Sequence, residues 1–542
     1  MRRATPNLVV CGDVVLAVGT EMERAEALAI ADGRVVAAGS RRDVLPLAGA
    51  ATRVIDAGPA AVIPGLHDFH IHLVGLARTR ADVMLDDAAD AHEIGVRIRA
   101  HLGTLAADAW LTGRGWNEAQ LAVGLAPVAE AVGERLAYLS SHDGHSAWAS
   151  PAALRRAGIT ASSPDPEGGR IERDADRVPT GVLRETALEL VDRLVPRLSG
   201  AALAPHLSAT LAELARFGIT GASEAGDYTA ANGIGPDAAL GDSFSTLTSL
   251  AAILDGQLRM SIGIPAEALP AATQRGLRTG VALDGRRTLR MGWAKEYADG
   301  ALGSGTAALF EPSTCGARDT GILRVSDEQL DALFATARPA GIGLAIHAIG
   351  DRATASVLDA AQRAAPRAPG CPADRMEHLQ LTRAGDRQRI ARLGVVASIQ
   401  PIHAAADRDL VDSCWADRTA DAYAWRALVE AGSLLAAGSD APVESVDPWL
   451  GTFAAVHRRG PDDRRGDWMS GEALRLPEAL GAYTLGPARA IGASDEGHLR
   501  PGARADVAVL DAPLEAVLAA DERLVQVRST LTLVDGAIVH EG

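Results

Sequence analysis

From about residue 196 onward, short apolar segments with the composition of β-strands alternate with segments of helical periodicity. Eight strands are predicted, the first in AAVIPGLHDFHIHL and the others, in chain order, in GITGASEAG, LRMSIGI, LRMGWAKEYADG, GIGLAIHAIGD, ADRMEHLQ, GVVASIQPIH and SLLAAGSDAP. Helices are predicted between them, for example in SDEQLDALFATARPAG, DRATASVLDAAQRAA and YAWRALVEAG. Eight alternating β and α units predict an α/β fold, a (β/α)8 TIM barrel.

Two regions lie outside this alternation. The two ends of the chain read as short strands, joined by the hairpin signals ADG and VDG. We therefore predict that residues 1–63 and 492–542 together form a small composite β-sandwich domain. The barrel is assigned to residues 64–73 and 196–491. Residues 74–195 are far longer than an ordinary loop, and they predict an inserted subdomain that covers the substrate at the barrel mouth.

The composition limits the partners and the compartment. A formal net charge of −16, with no cluster of arginines and interleaved aromatics, argues against nucleic acid or an anionic membrane as partner. No signal peptide is expected, and no apolar run reaches the ~18 residues of a membrane helix. Four cysteines lie far apart without a CxxC pair, which predicts reduced thiols in a cytoplasmic protein: Cys11, Cys315, Cys371 and Cys414.

Five of the predicted strands carry a histidine, lysine or aspartate at their carboxyl ends. His70 and His72 are two residues apart on the first strand, so both imidazoles point to the same side. Catalytic groups of a barrel gather at the carboxyl ends of its strands, and neutral imidazole and carboxylate suit zinc, iron or manganese. The sequence therefore predicts one metal-binding cluster, whose other members are Lys295, His347, His378 and Asp440.

Lys295 is the only lysine among the 53 basic residues of the chain. A guanidinium cannot lose its proton in a protein, whereas an amine can when its pKa is lowered. A free amine can act as a base, form a Schiff base or take up carbon dioxide as a carbamate. The residue pattern by itself does not choose among these three roles. It also allows the explanation that the chain simply uses arginine in place of lysine and that Lys295 has no special role.

The combination of motifs resembles the amidohydrolase superfamily of metal-dependent hydrolases. Within it, the sequence is similar to the YtcJ-like and N-substituted formamide deformylase-like branch, amidohydrolase family 3. The resemblance covers nearly the whole chain, including PGARADVAVLD in the flanking β-domain. It is carried by PGLHDFHIHL, GRGWNEAQL, DGHSAWAS, PTGVLRE, KEYADGALGSGTAAL, HAIGDRA, RMEHLQ, QPIH, GSDAPVE and YTLGPARA.

The resemblance implies one or two divalent metal ions, with zinc as the expected metal. His70 and His72 would hold the more buried metal, and His347 and His378 would hold the second. Because related subgroups differ in whether one or two metals are bound, the ligand set is predicted more firmly than the metal count.

The resemblance also implies roles for the remaining strand-end residues. Lys295 would be carbamylated and bridge the two metals, and Asp440 would be both a ligand and the general base. The sequence departs from the pattern at Ser223 and Glu224, where many relatives have a His-Asp pair. The consequence of this replacement is not predicted.

The expected activity is metal-dependent hydrolysis of a non-peptide C–N bond in a small molecule, such as an amide, an N-substituted formamide or a cyclic amide. A divalent metal lowers the pKa of a bound water to about 7, and Asp440 would pass the proton to the leaving nitrogen. Ester or lactone hydrolysis, isomerisation or condensation, and a noncatalytic regulatory barrel are the alternatives. The oligomeric state stays open, a homodimer being one alternative.

Four further residues are candidates for substrate contact. Trp116, His145 and Trp148 lie in the insertion and are predicted to form the pocket wall. A tetrahedral oxyanion needs a hydrogen-bond donor or a metal beside it. We assign this role to the second metal, assisted by His145 or His403.

Overall fold

The computed structural model describes residues 5–18, 22–117, 120–121, 124–226, 233, 235–285, 287–316 and 319–542. The chain begins with strands and one short helix: β1 (Leu8–Ala17), β2 (Glu23–Ala31), β3 (Arg34–Gly39), α1 (Arg41–Val44) and β4 (Arg53–Pro64). β1 pairs antiparallel with β2 and parallel with β4. β2 and β3 form a hairpin through Asp32 and Gly33, which both have positive φ. The ADG signal therefore marks a real turn.

The first barrel strand and the inserted subdomain follow. The elements are β5 (Leu66–Ile71), α2 (Leu73–Thr79), β6 (Val83–Met84), α3 (Ala91–Leu102), β7 (Leu111–Trp116), α4 (Ala126–Val132), β8 (Ala137–Ser141), β9 (Ser146–Ala149), α5 (Pro151–Ala157), β10 (Gly169–Arg173), β11 (Pro179–Glu185) and α6 (Glu189–Asp192). Strands β6 to β11 form a sheet of their own, in the order β10-β11-β9-β8-β7-β6. This sheet packs a hydrophobic core against α3 and α4, so the insertion is a folded unit.

The remaining barrel elements alternate strands with helices. They are α7 (Gly200–Arg216), β12 (Ile219–Glu224), α8 (Asp242–Ser249), α9 (Ala251–Leu254), β13 (Arg259–Pro265), α10 (Leu269–Gln274), β14 (Leu289–Tyr297), α11 (Asp327–Ala340), β15 (Leu344–Ala348), α12 (Asp351–Arg363), β16 (Arg375–His378), α13 (Ala384–Leu393), β17 (Val396–Ile399), α14 (Pro401–Ala406), α15 (Arg408–Cys414), α16 (Trp425–Glu430), β18 (Leu435–Ala437), α17 (Pro448–His457), α18 (Leu476–Ala482) and α19 (Leu485–Ile491). Eight parallel strands, β5 and β12 to β18, pair in sequential order. The predicted α/β barrel and its eight strands are confirmed.

The chain ends in the sheet in which it began. β19 (Val507–Pro513), α20 (Leu514–Ala519), β20 (Ser529–Val534) and β21 (Ala537–Glu541) are the last strands and helix. With the first four strands they form a seven-stranded sheet in the order β21-β20-β19-β4-β1-β2-β3. Short 3-10 helices occur at Leu45–Leu47, Thr186–Leu188, Gly235–Leu240, Ala266–Ala268, Thr419–Asp421, Ser470–Glu472 and Glu522–Gln526.

The barrel closes where the end of β5 meets the segment after β18. The backbone N–H of Asp440 donates to the carbonyl of His70 at 2.7 Å, and that of His72 donates to the carbonyl of Ala441 at 2.8 Å. Only glycine fits at position 438, because a Cβ there would lie 2.3 Å from the backbone nitrogen of His70. This seam holds two predicted ligand-bearing segments against each other.

The prediction that all four cysteines are reduced thiols is wrong for one pair. Cys315, in the loop after β14, forms a disulfide with Cys414 at the end of α15, and their Cα atoms are 4.5 Å apart. Cys11 and Cys371 are free thiols. Structural disulfides are rare in cytoplasmic proteins, so the cysteines give no support to a cytoplasmic location. In the described parts of the chain, no helix combines the length and apolarity needed to span a membrane.

Replacing both Cys315 and Cys414 with serine is expected to lower the free energy of unfolding by about 2–4 kcal/mol, because the disulfide closes a long loop in the unfolded chain. Denaturant unfolding with and without a reductant measures the effect. Cys371→Ser is the matched control and should leave the response to reductant unchanged. An unfolding midpoint in the parent that does not depend on reductant would contradict the assignment.

Candidate metal centre

Asp440 lies at the centre of the histidines that end the barrel strands. Its Oδ1 is 3.2 Å from Nε2 of His70 and 3.2 Å from Nε2 of His72, and its Oδ2 is 3.9 Å from Nδ1 of His378. Asp440 and His378 both have positive φ, at 60° and 73°. Non-glycine residues seldom adopt this conformation, and such strain concentrates at functional sites.

Three buried nitrogen atoms near this carboxylate have no hydrogen-bond partner within the described ranges of the chain. They are Nε2 of His70, Nδ1 of His378 and Nζ of Lys295. Ligand atoms of His70, His378 and Asp440 all lie within 4.8 Å of one another. Buried polar atoms without partners are costly, and a cluster of imidazole and carboxylate donors is a typical divalent-metal site. The residues present therefore fit a divalent cation.

His347 is brought to the same cluster by β15. Its ring centre lies 4.5 Å from that of His378, and its Nε2 donates to the carbonyl of Gly300 at 3.0 Å. Burial, followed by the nearby histidines and Lys295, holds the pKa of His347 well below its usual value, so the ring is neutral. With Nε2 bonded to a carbonyl, Nδ1 is the nitrogen that His347 can offer to a metal.

Lys295 extends from β14 into the cluster. Its Nζ lies 4.6 Å from the centre of the Tyr297 ring. Burial lowers the pKa of Lys295 to about 8, although the charges of Glu377 and Asp440 partly offset this effect. An appreciable fraction of the amine is therefore neutral near physiological pH.

Glu377 is a residue of the centre that the sequence interpretation missed. One carboxylate oxygen accepts a hydrogen bond from Nδ1 of His70, and the other accepts from Nε of Arg375. The guanidinium of Arg375 lies 4.1 Å from the ring centre of Phe69 and 4.9 Å from that of Trp293. The available signal was the pair of opposite charges, Arg375 and Glu377, two residues apart in the short strand RMEH.

His403 and the insertion extend the network from Asp440 toward solvent. Nε2 of His403 lies 3.1 Å from Oδ2 of Asp440, and its Nδ1 lies 3.6 Å from Glu444. His142 of the insertion contacts Glu444 at 3.3 Å and Asp86 at 3.2 Å. Hydrogen bonds to Asp86 and Glu444 raise the pKa of His142 to about 10. This contact ties the insertion to the rim of the barrel.

His145 makes a second link between the insertion and the barrel. Its Nδ1 lies 3.0 Å from Glu185, and its ring centre lies 5.1 Å from that of His347. Burial lowers the pKa of His145, but the charge of Glu185 outweighs it and the net shift is upward. The same Glu185 carboxylate accepts from the hydroxyl of Thr306 at 2.5 Å. The structure thus places His145 beside His347 and His403 beside Asp440, and a contact of either residue with a substrate stays a prediction.

Trp116 and Trp148 lie elsewhere in the insertion. Both are buried in its hydrophobic core, and the indole N–H of Trp116 donates to the carbonyl of Leu139 at 2.7 Å. Packing within the insertion accounts for both side chains. A substrate contact by either tryptophan stays a prediction.

The Ser223-Glu224 pair also has defined partners. The hydroxyl of Ser223 lies 3.0 Å from Nε2 of His67. Glu224 accepts a hydrogen bond from the backbone N–H of Leu73 at 2.7 Å, at the first residue of the helix that follows His72. Glu224 therefore anchors the segment that carries one of the predicted ligands.

A (β/α)8 barrel with histidine and aspartate donors at the carboxyl ends of its strands defines the class of metal-dependent hydrolases. The chain belongs to the amidohydrolase family, whose sequence model matches residues 53–540.

The chain is similar over its full length to several proteins. It is 30% identical to the putative amidohydrolase YtcJ of Bacillus subtilis, covering 96% of this chain and 97% of that protein. It is 26% identical to the N-substituted formamide deformylase of Arthrobacter pascens, with 99% and 98% covered. The crystal structure of an uncharacterized metal-dependent hydrolase from Pyrococcus furiosus superposes with a TM-score of 0.70 at 25% identity, covering 93% of this chain and 99% of that one.

Gly300→Ala is expected to weaken metal binding and to destabilise the protein by about 1–3 kcal/mol, the usual cost of overpacking. The added Cβ would lie 2.0 Å from Oγ1 of Thr306 and 2.4 Å from Oε1 of Glu185, so the carbonyl that holds His347 must shift. Metal content and thermal unfolding measure both effects. Gly385→Ala is the control, because a Cβ there meets nothing within 4 Å. Equal behaviour of the two variants would refute the steric argument.

Proposed function

We propose that this metal-dependent hydrolase cleaves a non-peptide C–N bond in a small molecule: an amide, an N-substituted formamide or a cyclic amide. The observation that carries the proposal is the set of buried, unpartnered nitrogen donors around Asp440. The similarity to an N-substituted formamide deformylase supports the bond type. A cytoplasmic location and a homodimer stay predictions.

The metal site would hold one or two divalent ions, with zinc as the expected metal. Imidazole and carboxylate ligands suit zinc. When bound, the metal lowers the pKa of water and polarises the carbonyl of the substrate. The residues proposed to hold it are His70, His72, Lys295, His347, His378 and Asp440.

Asp440 is proposed as the general base. Burial raises the pKa of this carboxyl, but the neighbouring histidines, His70 first among them, outweigh burial and hold the pKa well below its usual value. The group is therefore an ionised carboxylate, the form in which it would accept a proton from the attacking water and deliver it to the leaving nitrogen. His403 holds Oδ2 and so orients the group. His145, whose ring lies 5.1 Å from that of His347, would donate a hydrogen bond to the developing oxyanion.

Lys295 is proposed to be carbamylated. The neutral amine attacks carbon dioxide, forms an N–C bond and releases a proton, which yields a carbamate with two oxygen donors. The lowered pKa of Lys295, about 8, makes the neutral amine available. Because Nζ is buried among the proposed ligands, the oxygen atoms of the carbamate would be available to hold the metal, or both metals where two are bound.

Lys295→Ala is expected to lose bound metal. After purification with zinc and bicarbonate, the parent should carry about two zinc ions per chain, as in a binuclear site, and the variant clearly fewer. Lys295→Arg is the matched control, since it keeps the positive charge but cannot form a carbamate. Metal analysis per folded chain is the measurement. Equal metal content in all three proteins would remove the bridging role.

Asp440→Asn is expected to lower kcat on the best substrate by about 10²–10⁴-fold, the usual contribution of general acid–base catalysis. The panel should pair N-substituted formamides, linear amides and cyclic amides with matched esters and lactones, using zinc-loaded protein. Metal content is measured in parallel, because Asp440 is also a proposed ligand. Faster turnover of esters or lactones would overturn the proposed bond type. A zinc-loaded parent without any turnover would favour a regulatory barrel.

A further inference from the structure

A buried chain of three side chains lies behind the metal centre. Nδ1 of His70 donates to Oε2 of Glu377, and Nε of Arg375 donates to Oε1 of the same carboxylate. All three residues are at most 2% exposed. The other ring nitrogen of His70, Nε2, lies 3.2 Å from Asp440 and has no hydrogen-bond partner in the described residues. The two nitrogens of His70 therefore have separate tasks.

The carboxylate decides which nitrogen of His70 carries the proton. A carboxylate accepts only, so in the neutral, metal-binding form of His70 the proton lies on Nδ1 and the lone pair is left on Nε2. A carboxylate that accepts a hydrogen bond from the ring nitrogen not bound to the metal orients a metal-binding histidine and raises its basicity. Here the lone pair points toward Asp440, on the side where the other donors converge.

Arg375 keeps the carboxylate in one place. Its guanidinium lies over the rings of Phe69 and Trp293, at 4.1 and 4.9 Å, so it has little room to move. The aromatic faces attract the cation without competing for its N–H groups. Phe69 precedes His70 directly, so one of the two rings that pack against Arg375 lies on the same strand as His70.

We propose that Glu377 is a positioning residue of the metal centre, which binds Nδ1 of His70, directs Nε2 to the metal and is itself fixed by Arg375. This inference rests on the proposed metal centre and deepens it. Glu377 does not contact the substrate and acts only through His70.

A second buried pair provides a matched control. Glu496 accepts two hydrogen bonds from Arg290, at 3.1 and 2.6 Å, and both side chains are 9% exposed. This pair has the same chemistry as Glu377 and Arg375 but binds none of the proposed ligands. Breaking it should lower stability without changing metal affinity.

The test measures zinc affinity by competition with a chromophoric chelator, and the visible spectrum of the cobalt-substituted protein. Glu377→Gln is expected to bind zinc about 10–100-fold more weakly, the usual effect of removing such a partner, and to change the cobalt spectrum. Glu496→Gln should keep the affinity and spectrum of the parent. All comparisons use full-length protein below its unfolding temperature, confirmed by circular dichroism.

The double variant Arg375→Met, Glu377→Gln separates positioning from charge balance. It removes the unpaired arginine that Glu377→Gln alone would leave buried. The proposal expects the double variant to stay 10-fold or more below the parent in zinc affinity, within the range for such partners. Recovery of parental affinity, or unchanged affinity in Glu377→Gln, would overturn it. A parent that binds neither zinc nor cobalt would instead overturn the proposed metal centre as well.

Discussion

The hydrogen bonds that join the first and last barrel strands are the constraint on which the rest of the structure depends. The N–H of Asp440 donates to the carbonyl of His70, and the carboxylate of Asp68 accepts from both the backbone and the hydroxyl of Ser439. This seam sets the register of the closing strands. Since a slip of one residue turns each side chain to the opposite face, the register alone keeps Oδ1 of Asp440 3.2 Å from the imidazoles of His70 and His72.

The insertion contacts the barrel near the candidate metal centre at two places. His142 reaches Glu444 beside the β18 end, while Glu185 is bonded to Thr306 in the loop after β14. These contacts join the insertion to the segments that follow β18 and β14. Electrostatic interactions strengthen where water is excluded, and His70, His378 and Asp440 are all buried. The insertion therefore contacts residues around the candidate centre, and its role in covering the substrate stays a prediction.

The barrel could be predicted because strand and helix periodicity are local properties, and all eight strands were found. The disulfide could not, because Cys315 and Cys414 are 99 residues apart in the sequence and meet only when the loop after β14 packs against the end of α15. Glu377 was missed for a related reason: a charged residue in a strand has no visible role until its partner, His70, is placed. The bond from His347 to the carbonyl of Gly300 involves backbone, which side-chain motifs do not reveal.

The proposed carbamylation would give the single lysine a physical explanation that arginine bias does not supply. Its Nζ is buried at a point where, within the described chain, no hydrogen-bond acceptor reaches it. A guanidinium there would bring a permanent charge and five N–H donors to satisfy, next to imidazoles that must stay neutral to bind a cation. An amine with a pKa of about 8 can give up its charge. Under the proposed carbamylation, the buried cation would become an anion whose oxygen atoms could bind a metal.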